Sequence, residues 1–129
     1  MNNVIEINDL LFEWDNKKQF SLKIKELKDE NKNKEGGLSG SPLNQVSNQI
    51  IKKFYINFKE TIPIIGVGGV SNGITAYEKI KCGASLLQLY TAMVFKGPYV
   101  ASKINKELSN LVKKDGLKNI SEAIGVNTN

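Results

Sequence analysis

Ile62-Pro63-Ile64-Ile65-Gly66-Val67-Gly68-Gly69-Val70 decides the fold of this 129-residue chain. Four apolar residues run unbroken into a glycine-rich turn. The next two, Ser71 and Asn72, are helix N-cap types, and beyond them Ile74, Tyr77 and Ile80 recur on one expected helix face. A short apolar run bounded by turn residues reads as a strand of a parallel sheet, covered on both faces. The pattern then repeats. Gly83 stops the helix, residues 84–90 read as a second buried strand, and a further helix is expected over about residues 99–114. In that helix Val100, Ile104, Leu108, Leu111 and Val112 face inward, and Gly116 is its stop. Upstream, Gly36-Gly37-Leu38-Ser39-Gly40 is a loop and Ser41 caps a helix with Pro42 at its first position. Leu43, Val46, Ile50, Phe54 and Phe58 then recur at helical spacing. Helix, strand, helix, strand, helix implies an α/β fold, with two clear parallel strands joined by right-handed crossovers.

Residues 1–35 read differently. Residues 4–12 are compatible with a strand or a helical turn, and residues 20–27 alternate as Phe20, Leu22, Ile24 in the manner of a short strand. Residues 28–35 form a charged, Asn-rich linker. No motif stands here, and the expected division is a poorly defined extension over 1–35 ahead of a folded unit over 36–129.

The formal charge is +5, with a pI near 9.3. Residues 1–35 carry seven basic and eight acidic side chains against eleven and five in the remainder, so the positive excess accompanies the glycine turns. Lys52, Lys79, Lys103 and Lys113 nevertheless fall singly on helix faces, which reads as solvated surface and argues against a nucleic-acid partner. The sequence has no His, which removes the commonest general base and metal ligand and every Ser-His or Cys-His nucleophile pair. No metal site and no catalytic residue is therefore assigned. The single cysteine, Cys82, has no internal disulfide partner and reads as a packing residue at a helix end. No apolar stretch approaches the ~20 residues of a membrane helix, and Met1-Asn2-Asn3 carries no targeting pattern.

In a parallel α/β unit, the turn leaving a strand's carboxyl end aims backbone amides at whatever binds there, and the following helix dipole favours an anion. Gly68 and Gly69 allow close approach, while the second turn, Leu89-Tyr90-Thr91-Ala92, adds further amides and the Thr91 hydroxyl. Two such turns side by side make a phosphate cradle, and in eight-stranded barrels the loops after the seventh and eighth strands often form one. A bland reading, in which the glycines only make tight turns, stands beside it. A dinucleotide fold fits poorly: the third fingerprint glycine falls at Ser71, and no acidic residue ends the second strand.

Three stretches resemble the C-terminal part of dihydroorotate dehydrogenase. They are Gly36-Gly37-Leu38-Ser39-Gly40-Ser41-Pro42-Leu43, the run from Ile62 to Val70, and Cys82-Gly83-Ala84-Ser85-Leu86-Leu87-Gln88-Leu89-Tyr90-Thr91-Ala92-Met93-Val94-Phe95-Lys96-Gly97-Pro98. The resemblance covers about residues 35–125. Its last motif, Glu122-Ala123-Ile124-Gly125, is similar to that of the membrane-associated, quinone-dependent class. It implies the C-terminal portion of a TIM (β/α)8 barrel, an incomplete barrel, within an FMN enzyme that oxidises dihydroorotate to orotate in pyrimidine biosynthesis with quinone as acceptor. Position by position, Gly40, Gly69, Tyr90 and Thr91 match the family's FMN-contacting residues, with Gly68 in the same phosphate loop. The family's serine base, flavin-contacting lysine and substrate-binding asparagines lie upstream of the matching region, so the expectation is a fragment that is inactive unless a complementary barrel fragment supplies them. The alternative is a non-catalytic remnant that binds phosphate or flavin or acts through protein contacts. Family membership implies the mitochondrial inner membrane, although no membrane segment is read here.

Overall fold

A computed structural model describes the backbone of residues 6–14 and 20–28, and residues 37–58 and 61–128 in full. The chain divides into two compact units, Met1–Gly37 and Leu38–Asn129. In the first, strands β1 (Glu6–Trp14) and β2 (Phe20–Lys28) pair antiparallel, from Glu6 opposite Lys28 to Trp14 opposite Phe20. The strand reading of the first segment is therefore the one realised, because pairing with β2 supplies the hydrogen-bond ladder that a single window of sequence leaves open. The linker expected over residues 28–35 lies, beyond Lys28, outside the described residues, as does Met1-Asn2-Asn3.

The second unit runs α1 (Leu43–Phe58), β3 (Ile65–Val67), α2 (Gly73–Lys81), β4 (Leu86–Gln88), α3 (Thr91–Lys96) and α4 (Val100–Lys114). Two 3-10 turns follow, Ile120–Ala123 and Val126–Thr128. β3 and β4 are parallel, with Ile65 opposite Leu86 and Val67 opposite Gln88. The regular strand starts later than the apolar run because Pro63 has no amide to give a ladder. Pairing reaches back only to Ile64, whose carbonyl accepts from the Ser85 amide at 2.8 Å.

Alternation along the strands sets the two faces of this sheet. Gly66 is buried and Leu87 packs into the core, whereas Ile65, Val67 and Leu86 on the other face are 57%, 51% and 62% exposed. The expected burial on both faces is corrected accordingly: among the described residues, helices cover one face only. Helix α2 is entered through a capping box. The Asn72 side chain accepts from the Thr75 amide at 2.9 Å, and Thr75 Oγ1 accepts from the Asn72 amide at 3.2 Å. Its buried stripe is Gly73, Ala76, Tyr77 and Ile80, the i, i+3, i+4, i+7 pattern. Ile74, expected on that face, lies one residue off the stripe and is 61% exposed.

The core holds α2 against α4. Val70, Ala76, Ala92, Val100 and Ile104 form one cluster, Tyr77, Ile80, Val112 and Ala123 a second, and Leu87 and Leu108 touch both. The Tyr77 hydroxyl donates to Asp115 Oδ2 at 2.9 Å. Residues after α4 then fold back as a strap. The Gly125 amide donates to the Ile80 carbonyl at 3.1 Å, Lys52 Nζ donates to the Asn127 carbonyl, and a Cβ on Gly125 would stand 2.2 Å from Tyr55 Cε1. The strap thus ties α1 to α2.

Lys79 overturns the expectation of solvated lysines, since it is fully buried. Three residues beyond Ala76, it sits beside the apolar stripe of α2 and runs beneath β3, where a Cβ on Gly66 would lie 2.7 Å from its Cδ. Its ammonium donates to Ser47 Oγ at 3.0 Å and to Asn48 Oδ1 at 2.7 Å. Burial holds its pKa down at about 8 against an ordinary 10.5, offset in part by Cys82 and Glu78, which favour the charged form. Between these two values the unfolded chain binds more protons than the folded one, so this group makes stability rise with pH across that window. Below it the cost of the buried charge is present in full.

Two outcomes are expected. Urea unfolding of the natural chain and of Lys79→Met from pH 7 to 10 should show the natural chain gaining on the variant by on the order of 2–3 kcal/mol. Tyr77, pushed up to about 12 by burial and by Asp115, acts in the opposite sense at alkaline pH in both proteins and cancels in the difference. Separately, Gly83 has φ +116° and a Cβ there would lie 2.3 Å from Tyr55 Cβ. Gly83→Ala should therefore lose about 3 kcal/mol, read as a lower urea midpoint, because backbone strain and overpacking act together.

Candidate functional site

The glycine-rich turn after β3 and the Leu89–Ala92 turn after β4 open on one cavity of about 300 Å³ beyond the carboxyl ends of the two strands. Gly40, Gly68, Gly69, Tyr90 and Thr91 all line it. Gly68 and Gly69 have φ of +95° and +75°, two successive left-handed residues that swing the chain sharply off the end of β3. Gly69 is required for a second reason: a Cβ there would stand 2.6 Å from the backbone of Asn44 in α1. Gly40, also left-handed at +82°, lies over the second turn, with its hypothetical Cβ 3.3 Å from Thr91 Cγ2. The loop before α1 and the turn after β4 thus meet across the cavity mouth.

Helix α2 does not offer its amino terminus to this cavity in the way the strand-turn-helix pattern implies. Its early amides are taken within the chain: that of Gly73 donates to Glu107 Oε2 at 2.5 Å, and that of Thr75 to Asn72 Oδ1. A carboxylate from α4 therefore satisfies the positive end of the α2 dipole. The amides left over belong to the turns themselves. Among the described residues, no carbonyl or side chain accepts from Gly69 or Val70, nor from Tyr90, Thr91 or Ala92 at the start of α3. Groups of this kind need an acceptor from outside the chain or from water.

Sequence reasoning missed Lys96. Its ammonium donates to the Ser71 carbonyl at 2.9 Å, tying the end of α3 to the first turn and placing a positive charge on the rim. The signal was Lys96-Gly97, a basic last residue followed by glycine at φ +78°, the ordinary ending of a helix. It marks α3, which the sequence reading passed over. Free amides, the Thr91 hydroxyl and one ammonium suit a small anion. Among the described residues, the polar side chains lining the cavity are those of Ser39, Ser41, Ser71, Gln88, Tyr90, Thr91 and Lys96. No helix among the described residues is long and apolar enough to cross a membrane.

Comparison with known proteins follows the same lines. A family model described as dihydroorotate dehydrogenase matches residues 6–112, reaching back into the hairpin. The mitochondrial dihydroorotate dehydrogenase (quinone) of Mus musculus is 54% identical over 91 residues, 70% of this chain and 23% of that protein. The dihydroorotate dehydrogenase (quinone) of Nautilia profundicola is 50% identical over 93 residues, 72% of this chain and 26% of its own length. This chain thus spans about a quarter of the curated relatives it matches. Among solved structures, a ligand-free type DHODH from Eimeria tenella superposes with a TM-score of 0.72 at 36% identity, over 81% of this chain and 29% of that one. The same protein in complex with ferulenol gives 0.70 at 37% identity, over 77% and 26%. The two parallel strands and their helices are accordingly a portion of a TIM barrel, open on one face, and the chain belongs to the dihydroorotate dehydrogenase family.

Proposed function

We propose that this chain forms the flavin-phosphate end of a quinone-dependent dihydroorotate dehydrogenase barrel. The observation that carries the reading is the convergence of two turns, with amides that no described residue accepts from, on one small cavity. In this reading the amides of Gly69, Tyr90 and Thr91 hold the FMN phosphate, Gly68 shapes the same turn, and the Gly40 loop closes against the cofactor. Bound FMN supplies the hydride acceptor for oxidation of dihydroorotate to orotate, a step of pyrimidine biosynthesis, with quinone as the final acceptor. In this reading the residues of this chain bind and orient the cofactor, and the serine base that the family resemblance implies lies outside the matching region. Turnover therefore depends on the remaining barrel strands, and a complementary barrel fragment would meet this chain at the exposed apolar face of Ile65, Val67 and Leu86. Quinone as acceptor is supported by the names of the relatives and by the Glu122-Ala123-Ile124-Gly125 motif, a mitochondrial location by the relatives named mitochondrial, and the inner membrane by the family resemblance alone.

Flavin fluorescence titration tests the binding half of this reading. FMN should be quenched on addition of the chain, and Gly69→Val should weaken binding by at least about tenfold, because the branched side chain meets both a left-handed backbone and the α1 wall. An unchanged affinity removes Gly69 from the site. FMN binding with no turnover after reconstitution with an upstream barrel fragment would favour the non-catalytic alternative. Sizing of the purified chain should show self-association through the open strand face, and a monomer with a sharp thermal transition would count against that face being unfinished.

A further inference from the structure

Helix α1 touches the first turn at three successive points. Beneath Gly69 lies Asn44, and a Cβ on Gly68 would meet Leu43 and Ser47 at 3.4 Å. Ser47 also makes a directed contact, its hydroxyl donating to the carbonyl of Val67, the last residue of β3. That carbonyl belongs to the Val67–Gly68 peptide, which is trans. In a trans peptide the carbonyl and the amide hydrogen point in opposite directions. Holding the carbonyl against α1 therefore turns the Gly68 amide away from α1, and Gly68 and Gly69 carry on into the cavity wall.

A serine hydroxyl rotates, and in isolation it has several acceptors to choose from. Here its choice is removed. The Lys79 ammonium donates to Ser47 Oγ at 3.0 Å, so the oxygen serves as acceptor on that side and its own hydrogen is left for Val67. Asn48 Oδ1, accepting from the same ammonium at 2.7 Å, fixes where Lys79 ends. The stem of Lys79 is gripped in turn by Gly66, where any Cβ would collide with it. A fully buried lysine is uncommon and costly, and nothing in the packing of α2 against α4 calls for its charge.

We infer that Lys79 is a positioning residue for the anion-binding turn, acting through Ser47 on the Val67–Gly68 peptide. It touches no cofactor; it fixes the peptide from which Gly68 and Gly69 carry on into the cavity wall. This rests on the proposed flavin-phosphate reading for its purpose, and on the Lys79–Ser47–Val67 contacts for its substance.

The test uses the full chain and three substitutions. Lys79→Met keeps the buried stem and removes the charge, Ser47→Ala removes the relay, and Asn48→Ala removes the other acceptor while leaving the relay in place. In proton–nitrogen NMR spectra of the free chain, Lys79→Met and Ser47→Ala should each shift the Gly68 and Gly69 amide resonances, and Asn48→Ala should not. FMN affinity should fall about tenfold in each of the first two, and the double variant should be no weaker than either single one, because both break the same link. Asn48→Ala should lower the unfolding midpoint with FMN affinity within twofold. Unmoved glycine resonances in Ser47→Ala, or additive losses in the double variant, overturn the inference. If the natural chain binds no FMN while the glycine resonances respond as stated, the cofactor reading fails and the positioning role stands.

Discussion

Helix α1 and the end of β3 approach until there is no room between them for a methyl group at Gly69, whose Cβ would overlap the backbone of Asn44. That closeness is the constraint on which the site depends. It requires glycine where the chain turns, and it puts the first turns of α1 against the strand end, where Ser47 can reach the Val67 carbonyl. It also leaves the amides of Gly69 and Val70 facing no carbonyl among the described residues. A helix end elsewhere in the same unit is treated in the opposite way. The N-terminus of α2 is closed by Asn72 and Glu107, so an anion is not drawn to the wrong end of the turn. Binding capacity is thus concentrated in two bends and withheld from the helix behind them.

Much of this was legible in the sequence because it rests on local rules. An apolar run ended by glycine marked the first strand and one begun after Gly83 the second, Ser41, Pro42 and the spacing from Leu43 to Phe58 marked α1, and Ser71 and Asn72 marked the start of α2. The turn glycines were visible as a pair, since successive glycines after an apolar run have few other uses. Strand lengths were overread. Pro63 trimmed the first, and the apolar residues that looked doubly buried alternate between a helix-covered face and an exposed one. An apolar run cannot tell which of its faces is covered, because that depends on neighbours distant in sequence.

Lys79 and Lys96 were illegible for a different reason. Each looks like any other lysine on a helix, and its meaning comes from partners 32 and 25 residues away. Glu107 is similar: a single acidic residue in α4 acquires a role only once α4 is laid across the start of α2. Helix α3 was missed because its six residues sit between two clearer signals, the second turn and α4. Long-range polar contacts of this kind have no periodicity and so leave no trace in a window of sequence.

The strap that follows α4 bears on how the unit comes together in time. Lys52 and Tyr55 of α1 find their partners at Asn127 and around Gly125, some seventy positions later. On a ribosome, α1 emerges long before those partners exist and waits with its inner side only partly engaged. The contacts that tie α1 to α2 through the strap can therefore form only after residues 124–127 have been made, although α1 itself is made in the middle.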